Sequence, residues 1–248
     1  AHGVERVAAA SLIERVARRC LTWLTDDLGL EFLESAEGLR VALVDQGPTG
    51  GTCLNNGCIP SKMLIYPADV IRSIQDARNI GVHAELHEVD FEKIMRRMHG
   101  VVDEARRNLV EALDKAEGLT YMKERAEFVG DYVLKVGEKT ITSQKIVIAT
   151  GARSLLPAIP GLREAGFLDN VSLLQAKELP RSLIIIGGGY IACEFAGIFN
   201  GLGSETTVLY RGEQVLRGFD EDVRRFVAQE MGKHGLELRL HSNVAAIA

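Results

Sequence analysis

The sequence predicts an α/β fold, because short apolar runs of strand length alternate along it with amphipathic stretches of helix length. The alternation is most regular after residue 180, where strand, helix, strand, helix and strand patterns follow one another. The chain has 248 residues, which is enough for one large domain or two ordinary ones. Its composition, with 46% apolar and 25% charged residues, is that of a soluble globular protein.

The first part of the chain contains the patterns of three helices and one strand. Residues 4–24 place their apolar side chains on one stripe at spacings of three and four, which predicts an amphipathic helix. Leu39–Asp45 is a short apolar run that ends in an acid, the pattern of a buried parallel strand. A helix is expected from about Pro60. Another covers roughly Phe91–Ala116, with its inward face at Ile94, Met98, Ala105, Leu109 and Leu113.

The second part of the chain begins with β-type runs and ends in alternating elements. Leu119–Ala149 contains short β runs with turns at Gly130-Asp131 and Gly137-Glu138, and its last run is Lys145–Ala149. After the Pro157–Gly161 connector the predicted elements are strand Leu183–Ile186, helix Tyr190–Gly201, strand Thr206–Tyr210, helix Asp220–His234 and strand Leu236–Leu240. We therefore expect an atypical helical segment at residues 1–38, followed by domains at 39–155 and 156–248.

Charge and hydropathy argue against several classes of partner. The formal net charge of -5 gives no reason to expect nucleic acid, which usually requires a basic face. No apolar run approaches the ~20 residues that span a bilayer, and charges near the N-terminus do not fit a secretory signal. The 4 cysteines are too few for a scaffold built on disulfides. We expect a cytoplasmic protein without nucleic-acid or membrane partners.

Cys53 and Cys58 are separated by only four residues, which suggests redox or metal chemistry. In a regular helix their Cα atoms would be about 8.6 Å apart, whereas a disulfide requires roughly 4.4–6.8 Å. The pair can therefore close only across a distorted turn, and Asn55-Asn56-Gly57 tolerates such a backbone. From the spacing alone, two reduced cysteines in a core turn fit equally well. A zinc site is less favoured, because no histidine lies nearby.

The residues around this pair carry a family resemblance. Residues 50–62, GGTCLNNGCIPSK, resemble the active-site signature of the pyridine nucleotide-disulfide oxidoreductases, which include glutathione reductase, dihydrolipoyl dehydrogenase, mercuric reductase and mycothione reductase. The resemblance implies a redox-active disulfide in which Cys53 is the interchange thiol that attacks the substrate. It also implies that Cys58 is the charge-transfer thiol facing a flavin, with Lys62 near the reactive edge of that flavin.

A second motif follows the predicted strand Leu183–Ile186. Gly187-Gly188-Gly189-Tyr190-Ile191-Ala192 fits G-x-G-x-x-A between a strand and a helix, the pattern of a dinucleotide-binding turn. In such a turn Gly187 makes the tight bend, Gly189 lets the pyrophosphate approach the backbone, and Ala192 allows close packing. The helix N-terminus supplies the anion site. The alternative is a tight strand–helix turn without a ligand.

The end of the next strand favours NADP over NAD. An NAD site usually has an acid there, whereas this strand is followed by Arg211, with Arg217 six residues later. Two guanidinium groups suit a 2′-phosphate, although they are also compatible with a solvated surface pair. The stretch from Gly189 to Asp220 resembles glutathione reductases, in which two arginines at this spacing bind the phosphate. That resemblance also implies that Tyr190 covers the nicotinamide pocket beside Ile191, and that Glu194 pairs with Lys62.

The family's flavin-binding positions are matched in part. Residues 146–151, IVIATG, preceded by Thr140, resemble its second FAD motif, which places Ala149, Thr150 and Gly151 close to the flavin. Asp45 matches the acidic ribose-binding position, and Gly50, Gly51 and Thr52 would line the pyrophosphate and the ring. Each also has an ordinary interpretation, as turn or loop residues. The first FAD phosphate loop is not matched, because residues 1–38 contain only Gly3, Gly29 and Gly38.

These patterns together predict two Rossmann-like FAD- and NAD(P)-binding domains, both incomplete, in a chain truncated at both ends. The implied activity passes hydride from NADPH, with NADH as the alternative donor, to FAD, and the electrons then pass to the Cys53–Cys58 disulfide and finally to a small disulfide. A dithiol substrate is expected if the flow is reversed. The family is homodimeric, and we expect its dimerisation domain to be absent here. One alternative is a non-catalytic remnant that folds but does not hold FAD. Another is a module that binds only NADP.

Overall fold

The computed structural model describes residues 40–247, so the predicted helix at residues 4–24 lies outside the described residues. The chain divides into two compact units. One contains the described residues up to Ile59 together with Val101–Gly151, and the other contains Pro60–Gly100 together with the residues from Ala152 onward. The predicted α/β class is confirmed, because both units combine helices with parallel strands. In the second unit these elements form a βαβαβ series.

The first unit contains two small sheets. Strand β1 (Val41–Val44) pairs in parallel with β2 (Leu119–Met122), with Val41 opposite Leu119. The second sheet is an antiparallel meander of β3 (Ala126–Gly130), β4 (Val133–Val136) and β5 (Lys139–Thr142). The turns of this meander fall at the two glycine-containing positions that the sequence predicts.

Three helices follow β1 in the chain. Helix α1 (Gly51–Asn56) is short, and α2 (Cys58–Asp76) begins two residues after it ends. Helix α2 therefore begins two residues before the predicted start at Pro60. Helix α3 (Phe91–Lys115) matches the predicted span almost completely, and its expected inward residues are buried or half-buried.

The second unit ends in the βαβαβ series that the sequence predicts. After a short helix, α4 (Leu162–Ala165), the series is β6 (Ser182–Ile186), α5 (Tyr190–Leu202), β7 (Glu205–Leu209), α6 (Glu221–Lys233) and β8 (Glu237–Arg239). The three strands are parallel in the order β6-β7-β8. Its core contains Ala196, Val208, Met231 and Leu236, which pack where α5 and α6 cover the central strand.

Two details of the predicted strands are wrong. Lys145–Ala149 is not a strand: Val147 and Ile148 are 81% and 70% exposed, and no neighbouring strand within the described residues offers them hydrogen bonds. The strand predicted at Leu39–Asp45 exists, but Val41 and Leu43 are partly exposed rather than buried. A parallel strand becomes buried through neighbours on both edges and cover on both faces, and β1 pairs with one strand among the described residues.

Candidate functional site

The two candidate cysteines lie on either side of a break between helices. Cys53 is half-buried within α1, whereas Cys58 is exposed and is the first residue of α2. The break falls at Gly57, whose backbone angles of φ -140° and ψ -111° do not continue the helix. A Cβ at Gly57 would lie 3.0 Å from the Thr52 carbonyl oxygen and 3.4 Å from the Cys53 Cα. The predicted distortion of the turn is thus confirmed, and a side chain at residue 57 would press against the backbone of the preceding helix.

The turn that enters α1 also depends on glycine. Gly50 has a φ of 103°, in the left-handed region, and a Cβ there would lie 2.9 Å from the Leu54 Cβ. Leu54 is almost fully buried, so it has no space to move away. Because Leu54 follows Cys53 directly, its packing fixes the orientation of α1 and, with it, the position of Cys53.

A hydrogen-bond network centred on Asn55 connects this turn to α3. The Arg106 side chain donates to Asn55 Oδ1 from Nε at 2.9 Å and from Nη2 at 2.7 Å, and its Nη1 pairs with Asp103 at 3.0 Å. The Asn55 amide nitrogen donates to the carbonyl oxygens of Pro48, Thr49 and Gly51. Both ends of this buried carboxamide are therefore used, and they hold the backbone that leads into Cys53.

Lys62 and Glu194 form the predicted ion pair. Lys62 Nζ lies 2.6 Å from Glu194 Oε1, and the two side chains come from α2 and α5. Their side chains remain 45% and 38% exposed, so solvent screens the attraction. The pairing is confirmed, while the function of either residue beside a flavin stays a prediction.

The remaining candidate flavin positions are less organised. The Asp45 carboxylate follows β1 and accepts the Gly47 N–H at 2.8 Å, and the buried Thr49 hydroxyl lies 2.6 Å from the Tyr121 hydroxyl. Space is open beside Gly51, where an added Cβ would meet no atom within 4 Å. By contrast, residues 149–151 are exposed and belong to no helix or strand. Among the described residues, Asp45 is thus held by its hydrogen bond and the turn at Gly51 is open, while the role of these residues toward FAD stays a prediction.

The glycine turn, residues 187–189, has the shape of a dinucleotide cradle. Gly187 has a φ of 142°, and a Cβ there would lie 3.7 Å from the Ala192 Cβ, so Ala192 allows the close packing that the motif predicts. A Cβ on Gly189, by contrast, would meet no atom within 4 Å. The space above Gly189, at the N-terminus of the 13-residue helix α5, is therefore open to a phosphate group. Exposed Tyr190 and Ile191 begin that helix.

Gly188, the middle glycine, is constrained by a side chain that the sequence motif does not include. A Cβ at Gly188 would lie 2.5 Å from the Tyr210 Cγ. The other edge of the same ring lies against Gly212, where an added Cβ would be 2.6 Å from the Tyr210 Cε1. Tyr210 thus fills a slot between two glycines, which fixes the glycine turn against the segment that follows β7.

That segment, residues 210–219, is called the arginine loop here because it carries Arg211 and Arg217, both exposed. Neither arginine forms an ion pair with another residue in the described range. Between them the loop turns inward at buried Val215 and Leu216. Leu216 has a φ of 56°, and its N–H donates to the Gly188 carbonyl at 2.6 Å. The arginine loop and the glycine turn are therefore directly connected.

Helix α6 supplies a further contact to the arginine loop. Arg224 donates from Nε to the Val215 carbonyl at 2.8 Å and from Nη2 to the Gln214 carbonyl at 3.0 Å. Its Nη1 pairs with Glu221 at 2.7 Å, and the Arg224 side chain is 18% exposed. Asp220 caps the helix by accepting the N–H groups of Asp222 and Val223.

Cys193 is the third cysteine among the described residues. It lies on α5 against the core of the second unit, and burial raises the pKa of its thiol to about 11. A thiol with so high a pKa is almost entirely protonated at neutral pH, so it is a poor nucleophile.

Three contributors to these sites could not be identified from the motifs. Gly188 occupies a variable position of the dinucleotide motif, Arg106 lies 51 residues from Asn55, and Arg224 is one of two adjacent arginines on an amphipathic helix. The structure shows Arg106 and Arg224 half-buried on their helices, and an arginine removed from solvent needs a partner. The partner itself could not be named without the fold.

Comparisons with known proteins agree on one family. The family described as pyridine nucleotide-disulphide oxidoreductase matches residues 29–248. Glutathione reductase from Nostoc sp. is 35% identical over 210 residues, which are 85% of this chain and 45% of that protein. Mercuric reductase from Bacillus cereus is 33% identical over 199 residues, 80% of this chain and 32% of that protein.

Among solved structures, the HOCl-induced flavoprotein disulfide reductase RclA from Escherichia coli is similar, with a TM-score of 0.74 and 33% identity. The match covers 87% of this chain and 47% of RclA. The chain thus spans between about a third and about a half of the proteins it matches. Within residues 40–247, no helix has the length and apolar character needed to cross a bilayer.

Proposed function

The chain belongs to the pyridine nucleotide-disulphide oxidoreductase family, and on this premise we propose that it carries the thiol and nicotinamide sites of an FAD-dependent NADPH:disulfide oxidoreductase. The observation that carries the proposal is the interrupted helix at Gly57, which separates Cys53 from Cys58 within a signature of the family. A regular helix would hold these cysteines too far apart for a disulfide. The break allows the approach that reversible disulfide chemistry requires.

The proposed dinucleotide site fits NADP in shape and in charge. The open space above Gly189 suits a pyrophosphate, and Arg211 and Arg217 are available for a 2′-phosphate because no described residue neutralises them. We assign Gly187, Gly189, Tyr190 and Ile191 to the pyrophosphate and nicotinamide side of the site. NAD remains the competing cofactor, and the absence of an acid at the end of β7 argues against it.

The proposed flavin contacts are Asp45, Gly50, Gly51 and Thr52 on one side, with Lys62, Glu194, Ala149, Thr150 and Gly151 completing the set. When both cofactors are bound, they supply two electrons from NADPH through FAD to the Cys53–Cys58 disulfide. In our proposal the Lys62–Glu194 pair places one positive and one negative charge at fixed positions on α2 and α5. Its role is to adjust the local charge as hydride arrives.

The thiols then carry out the exchange with substrate. The Cys53 thiolate attacks one sulfur of a small disulfide and releases the other sulfur as a thiol, which leaves Cys53 in a mixed disulfide. Cys58 next attacks the Cys53 sulfur, releases the second substrate thiol and restores the Cys53–Cys58 bond. Two protons and two electrons are consumed for each disulfide reduced. Substrates in this class include glutathione-like disulfides and lipoamide, and mercuric ion would require the same two thiols.

The domain arrangement forms part of the proposal. Residues 39–155 would contribute to FAD binding and residues 156–248 to NAD(P) binding. The full enzyme is proposed to be a cytoplasmic homodimer. The substrate is proposed to be a small molecule rather than a nucleic acid or a membrane component.

The test is the visible absorption spectrum of the purified chain, recorded before and after anaerobic addition of NADPH. The proposal predicts a flavin spectrum, followed on reduction by a long-wavelength thiolate–flavin band that Cys58→Ser abolishes. Cys193→Ser is the matched control, because that thiol lies in the core and should leave the band unchanged.

Two other outcomes identify the alternatives. Absence of flavin after incubation with excess FAD, combined with NADP⁺ binding, would identify a module that binds one cofactor. Binding of neither cofactor by a folded chain would identify a remnant that has retained the family's residues without its chemistry.

A further inference from the structure

The arginine loop is held in an unusual backbone conformation. Leu216 adopts a left-handed φ of 56°, which is unfavourable for a residue other than glycine and persists only where the surroundings impose it. The surroundings here are the burial of its side chain, its N–H bond to Gly188 and the Phe219 N–H bond to its carbonyl at 3.0 Å. The backbone direction at Arg217, the next residue, therefore depends on Leu216 being held in place.

Arg224 fixes the residues immediately before this bend. Its guanidinium occupies the carbonyls of Gln214 and Val215, and Val215 is fully buried. Without Arg224, these two carbonyls would lose charged donors at a site where water has little access. The least costly response is for the loop to move outward, which would displace Leu216 from Gly188 and change the path between Arg211 and Arg217.

We propose that Arg224 is a positioning residue that sets selectivity for a 2′-phosphorylated dinucleotide, by holding the arginine loop against the glycine turn. The inference rests on the proposed assignment of Arg211 and Arg217 to that phosphate. Arg224 itself does not contact the nucleotide in this proposal, because its three nitrogens are directed to Gln214, Val215 and Glu221.

Arg225 provides a matched control for Arg224. It is the next residue of the same helix and carries the same charge, but it is 60% exposed and pairs with Asp222 instead of the loop. Substituting either arginine with glutamine removes one positive charge from the same helix. Any general electrostatic effect on an anionic nucleotide is therefore shared by the two variants, and only Arg224→Gln releases the loop.

The experiment measures binding of NADP⁺ and of NAD⁺ to the purified chain by isothermal titration calorimetry. Arg224→Gln is expected to weaken NADP⁺ binding about tenfold, the scale of one misplaced charged hydrogen bond, while NAD⁺ binding changes less than about twofold. Arg225→Gln is expected to change the NADP⁺ to NAD⁺ ratio less than about twofold. Arg224→Lys, which keeps the charge and can reach one carbonyl, should give an intermediate ratio and substitutes for the glutamine variant if that fails to fold.

Each outcome bears on a different part of the proposal. A selective wild-type chain whose NADP⁺ preference is unchanged in folded Arg224→Gln, or unchanged in Arg224→Lys where the glutamine variant does not fold, overturns the role of Arg224 alone. Equal weakening of both nucleotides also overturns it, because a purely structural effect would not discriminate between them. A wild-type chain that binds NAD⁺ as tightly as NADP⁺ overturns the proposed 2′-phosphate site and, with it, this inference.

Discussion

Two parts of the chain hold their functional loops by different forces: the cysteine region, residues 40–59 with 101–122, and the nucleotide region, residues 182–239. Around Cys53 the backbone is held mainly by hydrogen bonds, which converge on the Asn55 carboxamide. Around the glycine turn it is held mainly by packing, since the Tyr210 ring fills a slot between Gly188 and Gly212. Removing the Asn55 carboxamide should therefore loosen the cysteine region, and adding volume at Gly188 should strain the nucleotide region.

The strands next to these loops also differ in how deeply their side chains are buried. In the nucleotide region Val208 of the central strand is fully buried, because the consecutive elements from β6 to β8 supply both its neighbouring strands and its covering helices. In the cysteine region Val41 and Leu43 of β1 are partly exposed, and the partner strand β2 comes from a distant part of the chain. A contiguous segment can bury its own sheet, whereas one assembled from distant strands relies more on specific polar contacts.

The largest expected effect comes from adding one carbon atom to the nucleotide region. Gly188→Ala places a Cβ 2.5 Å from the Tyr210 ring, and Gly212 at the other end of the ring limits how far this half-buried side chain can shift. We expect a loss of about 3 kcal/mol in the free energy of unfolding, at the upper end of overpacking costs. Urea denaturation would measure it as a lower midpoint with an unchanged slope.

Gly189→Ala is the matched control for this substitution. Its added Cβ meets no atom within 4 Å, so the stability should change by less than about 1 kcal/mol. If the proposed function holds, this variant should nevertheless lose dinucleotide affinity, because the methyl group occupies the space assigned to the pyrophosphate. Equal destabilisation by the two alanines would contradict the steric account of Gly188.

The cysteine region offers the complementary test, in which polar groups are removed without adding volume. Asn55→Ala leaves three backbone carbonyls and the Arg106 guanidinium without their partner, which should lower the unfolding free energy by about 2–3 kcal/mol. Asn55→Asp keeps the volume and the acceptor for Arg106 but loses the amide donors. Its second carboxylate oxygen would face the carbonyl oxygens of Pro48, Thr49 and Gly51, so it should recover no stability over alanine in the same urea experiment.

Asn56→Ala is the control for the Asn55 variants, since the neighbouring residue has the same side chain and is only half-buried. A change of less than about 1 kcal/mol is expected there. If alanine at residue 56 is as damaging as alanine at residue 55, the hydrogen-bond network around Asn55 does not hold the cysteine region.

The contrast between the regions also explains what could be predicted from the sequence. The elements from β6 to β8 follow local periodicity, so their order and bounds were predicted to within about two residues. The strand predicted at Lys145–Ala149 was wrong, because strand-like composition does not show whether a neighbouring strand is present. Motif residues were found by spacing, whereas Tyr210, Arg106 and Arg224 act through contacts with residues distant in the chain. No local pattern specifies those partners.

The burial of the Cys193 thiol gives a smaller prediction, which concerns the rate of its chemical labelling. Since the pKa of Cys193 is raised to about 11 from the ordinary 9.0, its thiolate fraction at pH 8 is about a hundredfold lower than that of an ordinary thiol. Higher nucleophilicity of the remaining thiolate offsets part of this, so we expect iodoacetamide to label Cys193 at least about tenfold more slowly than an unfolded cysteine peptide.

The pH profile of this labelling provides the check. Peptide mass spectrometry should show the Cys193 rate rising up to about pH 11 instead of levelling near pH 9, because deprotonation is postponed by burial. Labelling of the urea-unfolded chain serves as the control, since every thiol there has lost its burial. A Cys193 rate in the folded chain equal to that in the unfolded chain would show that the thiol is not protected.

The smallest expected effect on stability belongs to the Lys62–Glu194 pair, which joins α2 to α5. With both side chains more than a third exposed, the pair should contribute less than about 1 kcal/mol, so Lys62→Met and Glu194→Gln should leave the urea midpoint almost unchanged. If the proposed function holds, the same substitutions should slow the reduction of bound flavin by NADPH, measured by stopped-flow absorbance at the flavin maximum. Arg96→Met, which breaks a more exposed surface pair with Glu92, is the control for both measurements. A large loss of stability in either variant, with no change in flavin reduction, would make this pair structural and remove it from the proposed chemistry.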